Sequence, residues 1–120
     1  MRVLITGNTN YPDLDLVKNF VKTLPLDTIV YCGGREGVDN VARNQALFQD
    51  LIVIDMPVTK PGFASRTPKI IGYDTLVDLV DEVHIFTNGS DGQMAILACY
   101  AKEQNKLTNF IIDRGEDVNI

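Results

Sequence analysis

The chain has no tryptophan and a single histidine among its 120 residues. One histidine, His84, and two cysteines, Cys32 and Cys99, are too few for a zinc ligand set and do not make a disulfide framework. Both thiols are expected reduced and mostly buried, His84 is expected to be a satisfied buried or half-buried side chain, and no metal or cofactor is expected. Basic residues are also scarce: 11 Lys and Arg stand against 16 Asp and Glu, a formal charge of −5. That balance argues against a nucleic-acid partner, which needs a basic face. It does not exclude a small anionic ligand, since backbone N–H groups bind anions without formal charge. No apolar run approaches the length of a bilayer span, and Met1 leads into RVLITG rather than into a charged and then apolar leader. The expectation is therefore no signal peptide, no membrane association and a cytoplasmic location.

What is present is an alternation of short apolar runs and helical stripes. Arg2 to Thr6, Thr28 to Cys32, Leu51 to Met56, Glu82 to Thr87 and Asn109 to Asp113 read as strands. The third lacks period-two alternation, as expected of a strand buried on both faces. Between the runs, Leu14, Val17, Val21 and Leu24 mark one helical face, with Asp13 or Asp15 as its cap and Pro25 as its end. Val38, Val41, Ala42 and Ala46 mark a second, which reaches about Asp50. Leu76, Val77 and Val80 mark a third within 70–80, and Met94, Leu97, Ala98 and Ala101 a fourth. Strand and helix alternating with short links predict a single α/β domain over 1–120. It is Rossmann-like and three-layered, with a mainly parallel sheet of about five strands and helices on both faces. The one long connection, Pro57 to Pro68, carries Lys60 and Arg66.

Three loops follow strand ends and contain glycine: after Thr6, after Cys32 and after Thr87. In an open parallel sheet, ligands sit beyond the C-terminal strand ends, where strand order reverses. If the first and fourth strands are neighbours, the three loops converge there. The second loop, CGGREGVDNVA, joins a strand to a helix N-terminus, an arrangement that directs unpaired N–H groups and a positive dipole end at one spot.

RVLITGN, CGGREGVDNVA and FTNGSDGQMA together resemble the SLOG superfamily, small Rossmann-like domains related to DprA and to the LOG phosphoribohydrolases. The nearest likeness is to the short YspA/YpsA-type form, with its GGxxGxD signature, found in bacterial and phage proteins. The resemblance spans Arg2 to about Ile112. It implies a nucleotide or nucleotide-derived ligand held by Thr6, Gly7 and Asn8, by Gly33, Gly34, Gly37 and Asp39, and by Asn88, Gly89, Ser90 and Gly92. It also implies self-association as a homodimer or larger, and host cytoplasm if the chain is viral.

The chain departs from that pattern in two places. Asn8 and Asn10 stand where many relatives have arginine. Aligning Gly92 with the last glycine of the LOG motif PGGxGTxxE puts Ile96 at the glutamate, and an isoleucine can neither stabilise an anomeric carbon nor move a proton. The expectation is a sensor, carrier or sequestering module without turnover. The alternative is a divergent phosphoribohydrolase or N-glycosidase using Asp39, Asp91 or Asp13 as its carboxylate. A DprA-like role on single-stranded DNA is disfavoured by the acidic balance.

Several residues have a structural reading beside the functional one. Asp39 binds a ribose hydroxyl, or it caps a helix. Arg35 and Glu36 contact ligand, or form a solvated turn. Lys60 and Arg66 are the charged candidates for a phosphate. Tyr11 and Tyr73 could stack on a base, or pack as ordinary tyrosines. Asn10 joins the candidate binding set through its place in the first loop. Asp74 reads as a structural residue of the third helix, and Ser90 as a phosphate-holding residue rather than a nucleophile.

Overall fold

A computed structural model describes residues 1–56, 73–89 and 92–112. In chain order the elements are β1 (Arg2–Gly7), α1 (Leu14–Lys22), β2 (Ile29–Cys32), α2 (Val38–Phe48), β3 (Ile52–Asp55), α3 (Tyr73–Leu79), β4 (Glu82–Thr87), α4 (Gly92–Glu103) and β5 (Leu107–Ile112). The strands form one sheet in the order β3-β2-β1-β4-β5, with every pairing parallel. The expected α/β class and Rossmann-like layout therefore hold.

Alternation along β1 assigns the two faces. Val3 and Ile5 join Val17 and Val21 of α1, Val38, Ala42 and Ala46 of α2, and Val30, Cys32 and Phe86 in one cluster. Leu4 points the other way, into a cluster with Leu76 and Val77 of α3 and Met94, Leu97, Ala98 and Ala101 of α4. Each fully buried aliphatic side chain contributes about 1.5–3 kcal/mol relative to exposure, so both helix layers are held by the stripes legible in their sequences.

The ends of α1 follow from local chemistry. Asp13 is the N-cap, its carboxylate accepting from the Leu16 N–H at 3.1 Å. At the other end the Thr23 hydroxyl donates to the Phe20 carbonyl at 2.7 Å, and Pro25 follows.

Two expectations need correction. β3 is only partly buried: among the described residues it is an edge strand, and Ile52 is 62% exposed. Its unbroken apolar run reflects Val53 and Ile54 packing against opposite clusters, with no strand beyond them among the described residues. Cys99 is exposed on α4, because the inward stripe of that helix is filled by Met94, Leu97, Ala98 and Ala101; only Cys32 is buried.

The two chain halves leave β1 in opposite directions. β2 and β3 lie on one side of it, β4 and β5 on the other. Strand order therefore reverses between β1 and β4, and the loops after β1, β2 and β4 emerge from adjacent strands at one end of the sheet.

Candidate binding cleft at the start of α2

The loop after β2 turns through two left-handed glycines, Gly34 (φ 79°) and Gly37 (φ 78°). Gly37 is the N-cap of α2 and makes no side-chain cap, so the first turn is organised from elsewhere. The organiser is Asp39, which is fully buried. Its Oδ1 accepts from the Thr6 hydroxyl at 2.6 Å and its Oδ2 from the Arg35 N–H at 3.3 Å. One carboxylate thus ties the end of β1, the glycine loop and the first turn of α2, where a negative charge also meets the helix dipole favourably.

Above it opens a cleft of about 270 Å³, lined by Gly34, Arg35, Asp39, Asn40, Arg43 and Asp55. Asp39 is its floor. On one wall α2 presents Asn40 and Arg43; on the other stands Asp55, the last residue of β3, level with Cys32 of β2. The Arg43 Nε–H donates to Asp55 Oδ2 at 2.7 Å across the rim, and both side chains are more than a third exposed. That bond keeps the guanidinium firmly protonated. A second Arg43 N–H donates to Asn44 Oδ1 at 3.2 Å. Beneath the cleft, the Cys32 thiol is pushed far up in pKa, first by burial and then by Asp39 and Asp55, with Arg43 opposing. It is a neutral packing group rather than a nucleophile.

The loops after β1 and β4 are stitched to each other. Asn8 is buried, and its Oδ1 accepts from the Thr87 hydroxyl and from the Asn88 N–H, the latter at 3.0 Å. The Asn88 side-chain amide donates to Asn10 Oδ1 at 3.0 Å, and the Gly89 N–H donates to the Thr87 hydroxyl at 3.1 Å. The Asn88 and Gly89 N–H groups, candidates for holding phosphate, are therefore engaged within the protein.

Of the expected ligand-binding residues, then, Gly34, Arg35 and Asp39 line the cleft, and Thr6 stands behind Asp39. Gly7 and Gly33 are buried at the strand ends. Gly37 starts α2, and a Cβ there would meet the Thr9 carbonyl oxygen at 2.5 Å, so it brings the second loop against the first. Tyr11 is 3% exposed and packs edge-on against Phe86, with centroids 5.9 Å apart; its ring belongs to the core. Asn10 and Asn88 join the inter-loop network, and Gly89 (φ 83°) turns the fourth-strand loop. Gly92 opens α4, where an added Cβ meets nothing within 4 Å among the described residues. Ile96 is 54% exposed on α4. Of the other carboxylates weighed for catalysis, Asp13 is occupied as the cap of α1. Asp91 lies outside the described residues, as do Arg66, Ser90, Lys60 and the side chain of Tyr73.

Asn40, Arg43 and Asp55 were not foreseen. Arg43 follows Asp39 by one helical turn, and Asp55 ends the strand beside the glycine loop; those two positions are readable once the second loop is taken as one wall of a site.

His84, on β4, is remote from the cleft in chemistry. It is 3% exposed, contacts the Phe20 ring, and its two nitrogens face Glu82 Oε1 at 3.0 Å and the Asn109 side-chain amide at 2.8 Å. Among the described residues no group of His, Cys, Asp and Glu could hold a metal ion, and no helix is long and apolar enough to cross a membrane. Comparison with family models, with curated proteins and with solved structures gave no match.

Proposed function

We propose that the protein binds a nucleotide or nucleotide-derived small molecule in the cleft at the start of α2, as a sensor, carrier or sequestering module without turnover. The observation that carries this reading is the cleft itself. It is a concavity at the C-terminal ends of parallel strands, bounded by a glycine loop, a helix N-terminus, a guanidinium and a carboxylate. Arginine suits phosphate oxygens, and carboxylate and amide groups suit ribose hydroxyls and base edges. Its volume of about 270 Å³ is near the lower bound for small-molecule sites, which matches one nucleoside-sized moiety. The SLOG-like motifs support the same ligand class, and their likeness to that superfamily rests on the motifs alone.

Absence of turnover is supported by Ile96 standing where the LOG glutamate would, and by the occupation of Asp39. Its two oxygens already accept from Thr6 and Arg35 beneath the cleft surface. A general base or nucleophile must reach its substrate.

The test is incubation with nucleotides, cyclic dinucleotides and ADP-ribose derivatives, read by thermal shift and by chromatography of the small molecules. A ligand that prefers the folded state raises the melting temperature. A shift with the compound recovered intact supports the binder. Release of free base or ribose phosphate, lost in Asp39→Asn or Asp91→Asn, establishes the hydrolase instead. No shift and no product from any compound overturns both readings.

A further inference from the structure

The strand and helix flanking the cleft form a parallel βαβ unit of their own: β2, the glycine loop, α2 and β3. In dinucleotide-binding βαβ units, the glycine turn follows the first strand, and an acid ending the second strand, roughly 20 residues on, takes the ribose hydroxyl. Asp55 occupies that place here. It ends β3, lies at about that spacing from Gly33, and pairs in register with Cys32, the residue before the loop. We propose that Asp55 recognises the vicinal diol of a ribose, making this site selective for ribo- over 2′-deoxyribo-ligands. The inference rests on the reading of the cleft as a nucleotide site and specifies its sugar end.

Three observations support it. Asp55 lines the cleft, whereas the other lining carboxylate, Asp39, is covered. Arg43 holds Asp55 through Oδ2 alone, so among the described residues Oδ1 accepts no hydrogen bond and remains for a hydroxyl donor. Arg43 also fixes the carboxylate's orientation while retaining N–H groups of its own, since two of its five donors are used within the protein. A hydroxyl gives and accepts hydrogen bonds, so a carboxylate oxygen beside guanidinium N–H groups matches two adjacent hydroxyls. A bare phosphate would match the arginine and be repelled by Asp55.

The experiment compares D-ribose 5-phosphate and the four ribonucleoside 5′-monophosphates with their 2′-deoxy counterparts, by titration calorimetry on the full chain. For the wild type, the ribo form of whichever compound binds is expected to be about tenfold tighter than the deoxy form, as for a hydrogen bond to a charged group. In Asp55→Asn both affinities should fall, the ribo affinity by more, so that the ribo-to-deoxy ratio drops from about tenfold to within about twofold. The melting temperature should be unchanged, because the exposed Arg43–Asp55 pair contributes little to folding. Equal ribo and deoxy affinity in the wild type overturns the inference without any variant. So does a ribo preference that survives in Asp55→Asn. Either leaves nucleotide binding standing. No binding by any of these compounds overturns the diol reading, and the broader panel above then decides whether the nucleotide reading falls with it.

Discussion

The hydroxyl of Thr6 donates to the carboxylate of Asp39 at 2.6 Å, joining the end of β1 to the first turn of α2 across a fully buried contact. A buried carboxylate deprived of a donor keeps its desolvation cost and loses the offsetting bond. Thr6→Val preserves the shape and removes the hydroxyl, so it is expected to destabilise the fold by about 1–3 kcal/mol. Thr6→Ser retains the donor and should recover most of that loss. Urea unfolding of the three proteins measures the difference. Equal midpoints for wild type and Thr6→Val would show that the contact contributes nothing.

The glycines of the three motif segments do different work, and alanine substitution should separate them. At Gly7 a Cβ would lie 1.9 Å from the Phe86 carbonyl oxygen, a backbone atom of the paired strand that cannot rotate away. Gly7→Ala should cost about 3 kcal/mol or more. At Gly37 the added carbon meets the Thr9 oxygen at 2.5 Å and the backbone is left-handed, so Gly37→Ala should cost a comparable amount. At Gly92, the first residue of α4, the added carbon meets nothing among the described residues; Gly92→Ala should be neutral or stabilising by up to about 1 kcal/mol. Thermal melts of the three variants rank them, and a Gly92→Ala as damaging as Gly7→Ala would contradict this ordering.

The contrast among those glycines also marks where the sequence could be read and where it could not. Apolar stripes at helical spacing located the four described helices, because burial dictates them: Val17 and Val21, or Met94 and Leu97, can face only the sheet. Nothing in the chain's local patterns places β1 beside β4, since strand order is a long-range property that no local pattern encodes. The edge position of β3 was missed for the same reason. Polar side chains were harder still. Asn8 and Asn88 looked like ligand contacts, but they hydrogen-bond across a gap that only the folded sheet closes. Asn40 and Arg43 become cleft residues only because Asp55 arrives opposite them.

Helix α2 ends in a conformation that its sequence does not favour. Asp50 is left-handed (φ 63°), and the Leu51 N–H bonds back to the Ala46 carbonyl at 2.9 Å, closing the helix in the manner usually assigned to glycine. A non-glycine residue in this region carries about 1–2 kcal/mol of steric cost, partly offset by glycine's greater entropy when unfolded. Asp50→Gly is therefore expected to stabilise the protein by about 0.5–1 kcal/mol. Chemical denaturation of the single variant is sufficient; a lower midpoint would mean that the aspartate side chain makes up for its backbone strain.

His84 makes stability depend on pH in a stated direction. Burial lowers its pKa below the ordinary 6.5, with the Glu82 carboxylate opposing through a hydrogen bond and its charge. The Asn109 amide donates to Nδ1 at 2.8 Å and Nε2–H donates to Glu82, a pattern that requires the neutral ring. The Phe20 ring, packed over the imidazole from α1, offers no charge to stabilise a cation by ion pairing. Because the folded pKa is the lower one, the unfolded chain takes up the proton first as pH falls. The contribution of neutral His84 is therefore complete above about pH 6.5 and declines as the pH drops through that value toward the folded pKa. Urea midpoints at pH 7.5, 6.5 and 5.5 should fall along that series. In His84→Gln, which keeps polar atoms but does not titrate, the part of the fall due to this side chain should vanish, leaving only the slope shared by the carboxylates. A slope as steep in the variant as in the wild type would assign the whole pH dependence to other groups.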